Sequence, residues 1–257
     1  MQFTDTHCHI HSTDYQLDPN IVIEDAKKDL VTRLICVGTD LEDSELAVDF
    51  VQNQPMTWAS IGIHPHEAKH YVSNKVALAK FESLANKNRV VAVGECGLDY
   101  YYDHSNKHDQ KEILEFQLSV AQKFNLPIIF HVRDAFEEFW PIFDNYKGLK
   151  GVIHSFTSDS NTLNKALDRG LYIGLNGIMT FTKNAVQLTA AKNVPLSRLI
   201  LETDSPYLTP VPFRGTICQP KHVRYTAEFL ADLRDESLED LAKLTTGNAI
   251  KLFNLKD

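Results

Sequence analysis

Eight short apolar runs, each ending near a glycine, a histidine or a carboxylate and most followed by an amphipathic stretch, set the strongest limit on how this chain can fold. The runs are Phe3–Thr6, Arg33–Gly38, Thr57–Ile63, Val90–Glu95, Pro127–His131, Gly151–His154, Leu171–Leu175 and Arg198–Glu202. Runs this short, rich in β-branched residues and without polar alternation, are strands covered on both faces, the signature of a parallel sheet. Between them the pattern predicts helices near Pro19–Leu30, Asp43–Gln52, Lys75–Asn86, Asp109–Phe124, Ala135–Asn145, Asn161–Arg169 and Asn184–Asn193. Two or three more helices follow Pro220. Ile113, Phe116, Gln117, Val120, Ala121 and Phe124 show the helical period, at spacings of three and four with charges between. Strands alternating with helices over 257 residues, close to the ~250 typical of the class, predict an α/β fold: a single (β/α)8 TIM-type barrel. No Gly-, Pro- or Ser-rich linker interrupts the chain, so residues 1–257 are expected to form one domain.

Composition excludes several classes. Hydrophobic residues make up 43% and charged residues 23%, enough for a full core and unlike a disordered chain. No apolar run approaches the ~18 residues of a membrane span. The start, MQFTDTHCHIH, has no basic region or apolar core of a signal peptide. Four cysteines without a disulfide framework point to a reducing cytoplasm. A net charge of −8 argues against a protein that coats nucleic acid, though bound metal would reverse the local sign for an enzyme handling one phosphate at a time.

The run ends carry the chemistry. His7 and His9 are an H-x-H pair at the end of the first run, on the same face with Cα atoms roughly 6.5 Å apart. Cys8 between them should point the other way. Glu95 ends the fourth run, His131 the fifth, His154 the sixth, and Asp204 follows the eighth. Each alone reads as a polar residue satisfied near the surface. Six at the carboxyl ends of barrel strands, the face where barrel enzymes keep their active sites, read as metal ligands. No C-x-x-C occurs, so thiolate-bound structural zinc is excluded. Mixed nitrogen and oxygen donors suit Zn²⁺ or Mn²⁺, with Mg²⁺ the third candidate. Six ligands exceed what one catalytic ion with an open position needs, so two divalent ions are expected, with Glu95 bridging them.

The motifs DTHCHIH at 5–11, GIHPH at 62–66, GECGLDYYY at 94–102, FHVRDA at 130–135, IHSF at 153–156, GIMTF at 177–181 and LETDSPYLTPVPFRG at 201–215 resemble the TatD family of metal-dependent deoxyribonucleases, almost end to end and in order. The resemblance implies a barrel hydrolase that uses divalent metals to cut DNA phosphodiesters. It maps the family's ligands onto the same His7, His9, Glu95, His131, His154 and Asp204, and suggests His64 as a contact for the substrate phosphate. Two positions depart from the pattern: Cys218 stands where the family commonly has Asn, which bears on that loop's hydrogen bonding, and Cys96 stands where Thr or Ile is common.

The expected mechanism is metal-assisted hydrolysis. Asp204 takes a proton from the attacking water, Glu95 sets the metal spacing, and Asp5 and Asp99 are candidate acceptors for the ligands' second ring nitrogens. Arg133, Arg214 and His66 are candidate phosphate contacts. Arg133 could instead pair with Asp134 or with another Asp at the top of the barrel. Tyr100, Tyr101, Tyr102 and Tyr207 could stack on bases or pack their loops. His11, His70, His104, His108 and His222 lack strand-end placement and read as solvated. No G-x-x-x-x-G-K-[ST], G-x-S-x-G or post-strand G-x-G-x-x-G occurs. Rival readings keep the site and change the bond: an amidohydrolase on a cyclic amide or lactone, or an esterase on charged tRNA. A non-catalytic metal-binding scaffold is the third. Lys and Arg total 26 against 34 Asp and Glu, and only Arg133, Lys183, Arg214 and Lys221 gather in the predicted site-face loops. The expected substrate is therefore DNA, as single strands or frayed ends, with no membrane and no obligate protein partner.

Overall fold

A computed structural model describes residues 1–102 and 104–256. Eight strands are neighbours in chain order in one sheet, β1 to β8. They are β1 Phe3–Cys8, β2 Val31–Val37, β3 Thr57–Ile61, β4 Val90–Asp99, β5 Ile128–Arg133, β6 Gly151–Ile153, β7 Tyr172–Leu175 and β8 Leu199–Leu201. The helices are α1 Pro19–Lys28, α2 Leu41–Gln52, α3 Lys75–Leu84, α4 Lys107–Phe124, α5 Phe136–Asp144, α6 Ser160–Asp168, α7 Ala185–Asn193, α8 Val223–Arg234 and α9 Leu238–Phe253. Most helices open on a side chain that accepts a first-turn amide. Asp18, Asp40, Asn74, Asn106, Asp159, Asn184 and Ser237 do so for α1–α4, α6, α7 and α9. Asn125, Asp235 and Asn254 close α4, α8 and α9 in the left-handed conformation.

Contacts divide the chain into two compact units: a terminal unit of Met1–Cys36 with Ser155–Asp257, and a central unit of Val37–His154. In the central unit β3, β4, β5 and β6 pair in parallel. Phe130 packs against Phe139 and Phe143, with ring centroids 5.0 and 5.6 Å apart, so β5 is anchored to α5. In the terminal unit β1 pairs with β2 and β7 with β8, all parallel, and Cys8 bridges to Ser205. Phe3, buried with Phe253 of α9, starts that core.

The sequence pattern found the eight strands and the α-helices between them, but missed some ends and the short 3-10 helices at Pro65–His70, Gly177–Thr180 and Leu196–Arg198. β4 runs four residues past Glu95 to Asp99, β5 runs two past His131, and β1 includes His7 and Cys8. Glu95 is therefore inside a strand rather than at its end. The signal for a stop was Gly94, yet Gly94 and Gly97 are strand residues with φ of 137° and 156°. A Cβ at Gly94 or Gly97 would collide with the carbonyl of Ile129 or His131 on β5, so these glycines permit close strand approach on both sides of Glu95.

Candidate metal centre

In the central unit, four histidines and two carboxylates converge. Glu95 of β4 is buried, and its Oε1 faces three imidazoles: His131 Nδ1 at 2.7 Å, His154 Nε2 at 3.6 Å and His64 Nε2 at 3.8 Å. One donor atom each from His64, Glu95 and His131 lie within 4.8 Å of one another. A carboxylate this buried is costly unless positive groups meet it. Donors about 2.1 Å from one ion at tetrahedral angles lie about 3.4 Å apart, so a set with this spacing fits a divalent cation.

Asp99 organises the surroundings. Its Oδ2 accepts from His131 Nε2 at 3.0 Å and from His66 Nε2 at 3.0 Å. Its Oδ1 accepts the amides of Tyr101 and Tyr102, both at 3.0 Å. Burial alone would raise its pKa, but the bonds from His131 and His66 outweigh that and hold the carboxyl far below the usual range. Burial likewise works against protonating His131, yet Asp99 and Glu95 raise it to about 9. Asp99 is thus the second-nitrogen acceptor for His131, as expected from the sequence. His64 behaves in the opposite way. Burial first, then the neighbouring His131, hold its pKa well below the ordinary value. Its Nδ1 accepts the His66 amide at 3.2 Å, which leaves the ring proton on Nε2, so in this tautomer His64 lies at donor spacing without offering a lone pair to an ion.

Two glutamines on α4, seven positions apart, fix this backbone. Gln117 accepts from the Ile63 amide at 2.8 Å and donates to the Ile63 carbonyl at 2.9 Å, one residue before His64. Gln110 accepts from the Asp99 amide at 2.9 Å and donates to the carbonyls of Asp99 and Ser105 at 3.0 and 2.8 Å. Gln117 reads in sequence as part of an apolar face, and Gln110 lies about two turns before it on the same helix. Their signal is a long polar residue at a core position of an amphipathic helix, where a buried amide must bond something.

In the terminal unit, His7 Nε2 and His9 Nε2 face the same Oδ1 of Asp204 at 3.6 and 3.3 Å. Backbone bonds set this arrangement: the Asp204 amide to the His7 carbonyl at 2.8 Å and the His9 amide to the Ser205 carbonyl at 2.8 Å. Asp204 takes φ of 62°, the turn that aims its side chain back at β1. Asp5, the other expected acceptor, meets two amides and a hydroxyl. It accepts from the His7 amide at 3.2 Å, the Thr203 amide at 2.8 Å and the Thr203 hydroxyl at 2.6 Å, so it braces the two ligand-bearing segments through their backbones. Burial drives its pKa well above the usual value despite those bonds. Glu202, also buried, ends the eighth run without standing out in sequence as a polar residue of the site. It accepts from the Ser155 amide at 2.7 Å and from Asn176 Nδ2 at 3.3 Å.

Other expectations are corrected or refined. His11 and His222 are buried rather than solvated; burial lowers the His222 pKa to about 4. His66 is engaged by Asp99. Arg133 is exposed and its guanidinium lies over the rings of Tyr101 and Tyr102, at 4.0 and 4.8 Å, rather than beside Asp134. Arg214 lies over Phe181 at 3.8 Å and donates to the Thr209 carbonyl at 2.8 Å. Lys221 leaves the expected basic group to pair with Asp25 at 3.3 Å. Tyr100 donates to Glu138 at 3.2 Å beneath Lys107, which suits loop packing. Cys8 is buried and its Sγ approaches the Ile35 carbonyl at 3.4 Å. Cys218 holds its loop by backbone: its amide donates to Pro206 at 3.0 Å and its carbonyl accepts from Tyr15 Oη at 3.2 Å.

A parallel (β/α)8 fold with a histidine–carboxylate donor set in each unit defines the class of the metal-dependent barrel hydrolases. The family model described as "TatD related DNase" matches residues 4–254, and the chain belongs to that family. It is 36% identical to the uncharacterised metal-dependent hydrolase YabD of Bacillus subtilis, over 98% of each chain. It is 39% identical to the uncharacterised metal-dependent hydrolase YcfH of Escherichia coli, covering 99% of this chain and 97% of that one. The crystal structure of YjjV, a TatD homologue from Escherichia coli, superposes with a TM-score of 0.92 at 26% identity, over 99% of this chain and 98% of the other. Among the described residues no helix is long and apolar enough to cross a membrane.

Proposed function

We propose that this protein hydrolyses DNA phosphodiester bonds with two divalent metal ions, held by His7, His9, Glu95, His131, His154 and Asp204. The observation that carries the reading is the single Glu95 oxygen faced by three imidazoles, an arrangement that repels itself unless protons or a cation occupy it. Support for DNA comes from the family's description and from the full-length match. Bound ions would supply the chemistry that brings the pKa of a coordinated water toward ~7 and offsets phosphate charge.

The chain's own groups do the rest. Asp204, whose side chain is 17% exposed and set at a turn, accepts the proton of the attacking water. His64, neutral with its proton on Nε2, donates to a phosphate oxygen, and neutrality keeps it from repelling the ions. Asp99 holds the His131 ring in one orientation. Arg133 and Arg214 are the substrate contacts. Four buried, free thiols accord with work in a reducing cytoplasm.

Of the four basic residues expected in the site-face loops, Lys221 pairs with Asp25, which leaves Arg133, Lys183 and Arg214 to meet a nucleic-acid backbone, so the enzyme trims single-stranded or frayed ends. Metal-depleted protein, reloaded with Zn²⁺, Mn²⁺ or Mg²⁺, is assayed on a DNA oligonucleotide, a nitrophenyl phosphodiester, a dihydropyrimidine and charged tRNA. Cleavage of the first two is expected. Turnover confined to the dihydropyrimidine or the charged tRNA assigns an amidohydrolase or an esterase instead. A linear single strand should be cut in preference to a closed circle, with a log–log salt slope shallower than ~4, since each neutralised phosphate adds ~0.7.

A further inference from the structure

The rings beside Asp99 form a surface that the reading above does not use. Tyr101 is 59% exposed and Tyr102 43% exposed, unusual for large aromatic side chains. Their rings meet edge to face at 4.8 Å. Tyr102 stacks near His104 at 5.7 Å and meets His66 at 5.5 Å, and His66 meets His64 at 4.3 Å. A strip of rings thus runs from the exposed Tyr101 to the buried donor set, all within the central unit. Arg133 sits two residues after His131 on β5, with its guanidinium over both tyrosines. A guanidinium held over rings uses its face for that contact, and its in-plane N–H donors are the groups that pair with a phosphate. The tyrosine backbones are fixed by Asp99, the same carboxylate that orients His131, so the strip and the ligand are held in common register.

We infer that Tyr101 and Tyr102, with Arg133, form a subsite for an unpaired nucleotide next to the scissile phosphate: the base stacks on the tyrosine rings and its phosphate meets the guanidinium. This rests on the DNA reading and adds a cause for end preference. A base held in a duplex keeps its faces covered by its neighbours, whereas a terminal unpaired base offers one to a ring. The subsite takes any base, because stacking uses the π face rather than the base edge.

The test is a cycle on the metal-loaded full-length protein. Its substrates are a short oligothymidylate and the same strand with an abasic residue beside the cleavage point; its variants are Tyr101→Ala, Tyr102→Ala and Tyr102→Phe. For the wild type, removing the base should raise KM about tenfold, within the range that one base–aromatic stack contributes. Each alanine variant should raise KM for the normal strand by a similar factor and show no further loss on the abasic strand. Tyr102→Phe should retain the wild-type response. An alanine variant that loses equally on both strands would show a structural role only and overturn the subsite. So would variants with unchanged KM on the normal strand. Both results leave DNA cleavage by the wild type standing. If the wild type cuts the nitrophenyl phosphodiester but no oligonucleotide, the DNA reading fails first and the subsite falls with it.

Discussion

Glu95 in the central unit is walled in, whereas Asp204 in the terminal unit stands at a turn. The Glu95 side chain is 6% exposed, inside a ten-residue strand, between glycines that let β5 press close. The Asp204 side chain is 17% exposed, faces two imidazoles, and is aimed by a left-handed backbone. Both carboxylates see histidine nitrogens at spacings a metal accepts, but Asp204 is about three times as exposed to water. The difference separates two tasks that are easily merged in a sequence motif. A buried carboxylate with its oxygen already surrounded suits a permanent ligand. A partly exposed one can hold an ion and still exchange a proton with water.

Predictions follow that difference in order of size. Glu95→Ala should lower turnover by more than the 10–100-fold that losing an outer hydrogen-bond partner costs. It should also strip metal from the protein while circular dichroism stays native, because the glycines rather than the carboxylate fit the strands together. Activity above about a tenth of wild type, against that expected loss, would break the assignment of Glu95 as the fixed ligand. Asp204→Asn should reduce kcat by about 10²–10⁴-fold, the span of a lost general base, while metal content measured by emission spectroscopy falls less than in Glu95→Ala. Equal metal loss in both variants would show that exposure does not sort their roles.

A smaller effect is expected at Asp99. Asp99→Asn keeps the shape but weakens the hold on His131, and should cost about 10–100-fold in metal affinity, read by chelator competition. The corresponding change in the terminal unit, Asp5→Asn, weakens the bonds to the His7 and Thr203 amides and the Thr203 hydroxyl, and should appear as a lower melting temperature instead. If the two variants give the same pattern, the contrast between ring support and backbone support is wrong.

The smallest effect is on proton uptake. Without metal, His131 has its pKa raised to about 9, so at pH 7 it carries a proton that ligation must displace. Metal affinity should therefore increase with pH, by up to about tenfold per unit, until about pH 9. The same shift stabilises the metal-free fold fully below the ordinary histidine value, and that contribution disappears as pH rises through about 9. Calorimetry in buffers of different ionisation heat would count the released proton. A metal affinity flat between pH 7 and pH 9 would remove the claim.

The sequence by itself determined the order of elements and the six ligand candidates. Parallel strands announce themselves as unbroken apolar runs, and a histidine or carboxylate at the end of such a run stands out because burial there has a cost. It could not determine where β4 stops, since Gly94 and Gly97 read as breakers in one dimension and as spacers once β5 lies beside them. Nor could it show that Gln110 and Gln117 hold the backbone at Asp99 and Ile63, because a glutamine on an amphipathic helix has the same local pattern whether its amide meets water or a carbonyl. Only the tertiary structure decided that Asp99 bonds two rings while Asp5 bonds two amides and a hydroxyl, that His11 and His222 are covered, and that Arg133 lies on tyrosines. The physical reason is common to all of these. Periodicity records which residues leave water, but the partner of a buried polar group comes from a segment distant in sequence, and nothing local encodes which one arrives.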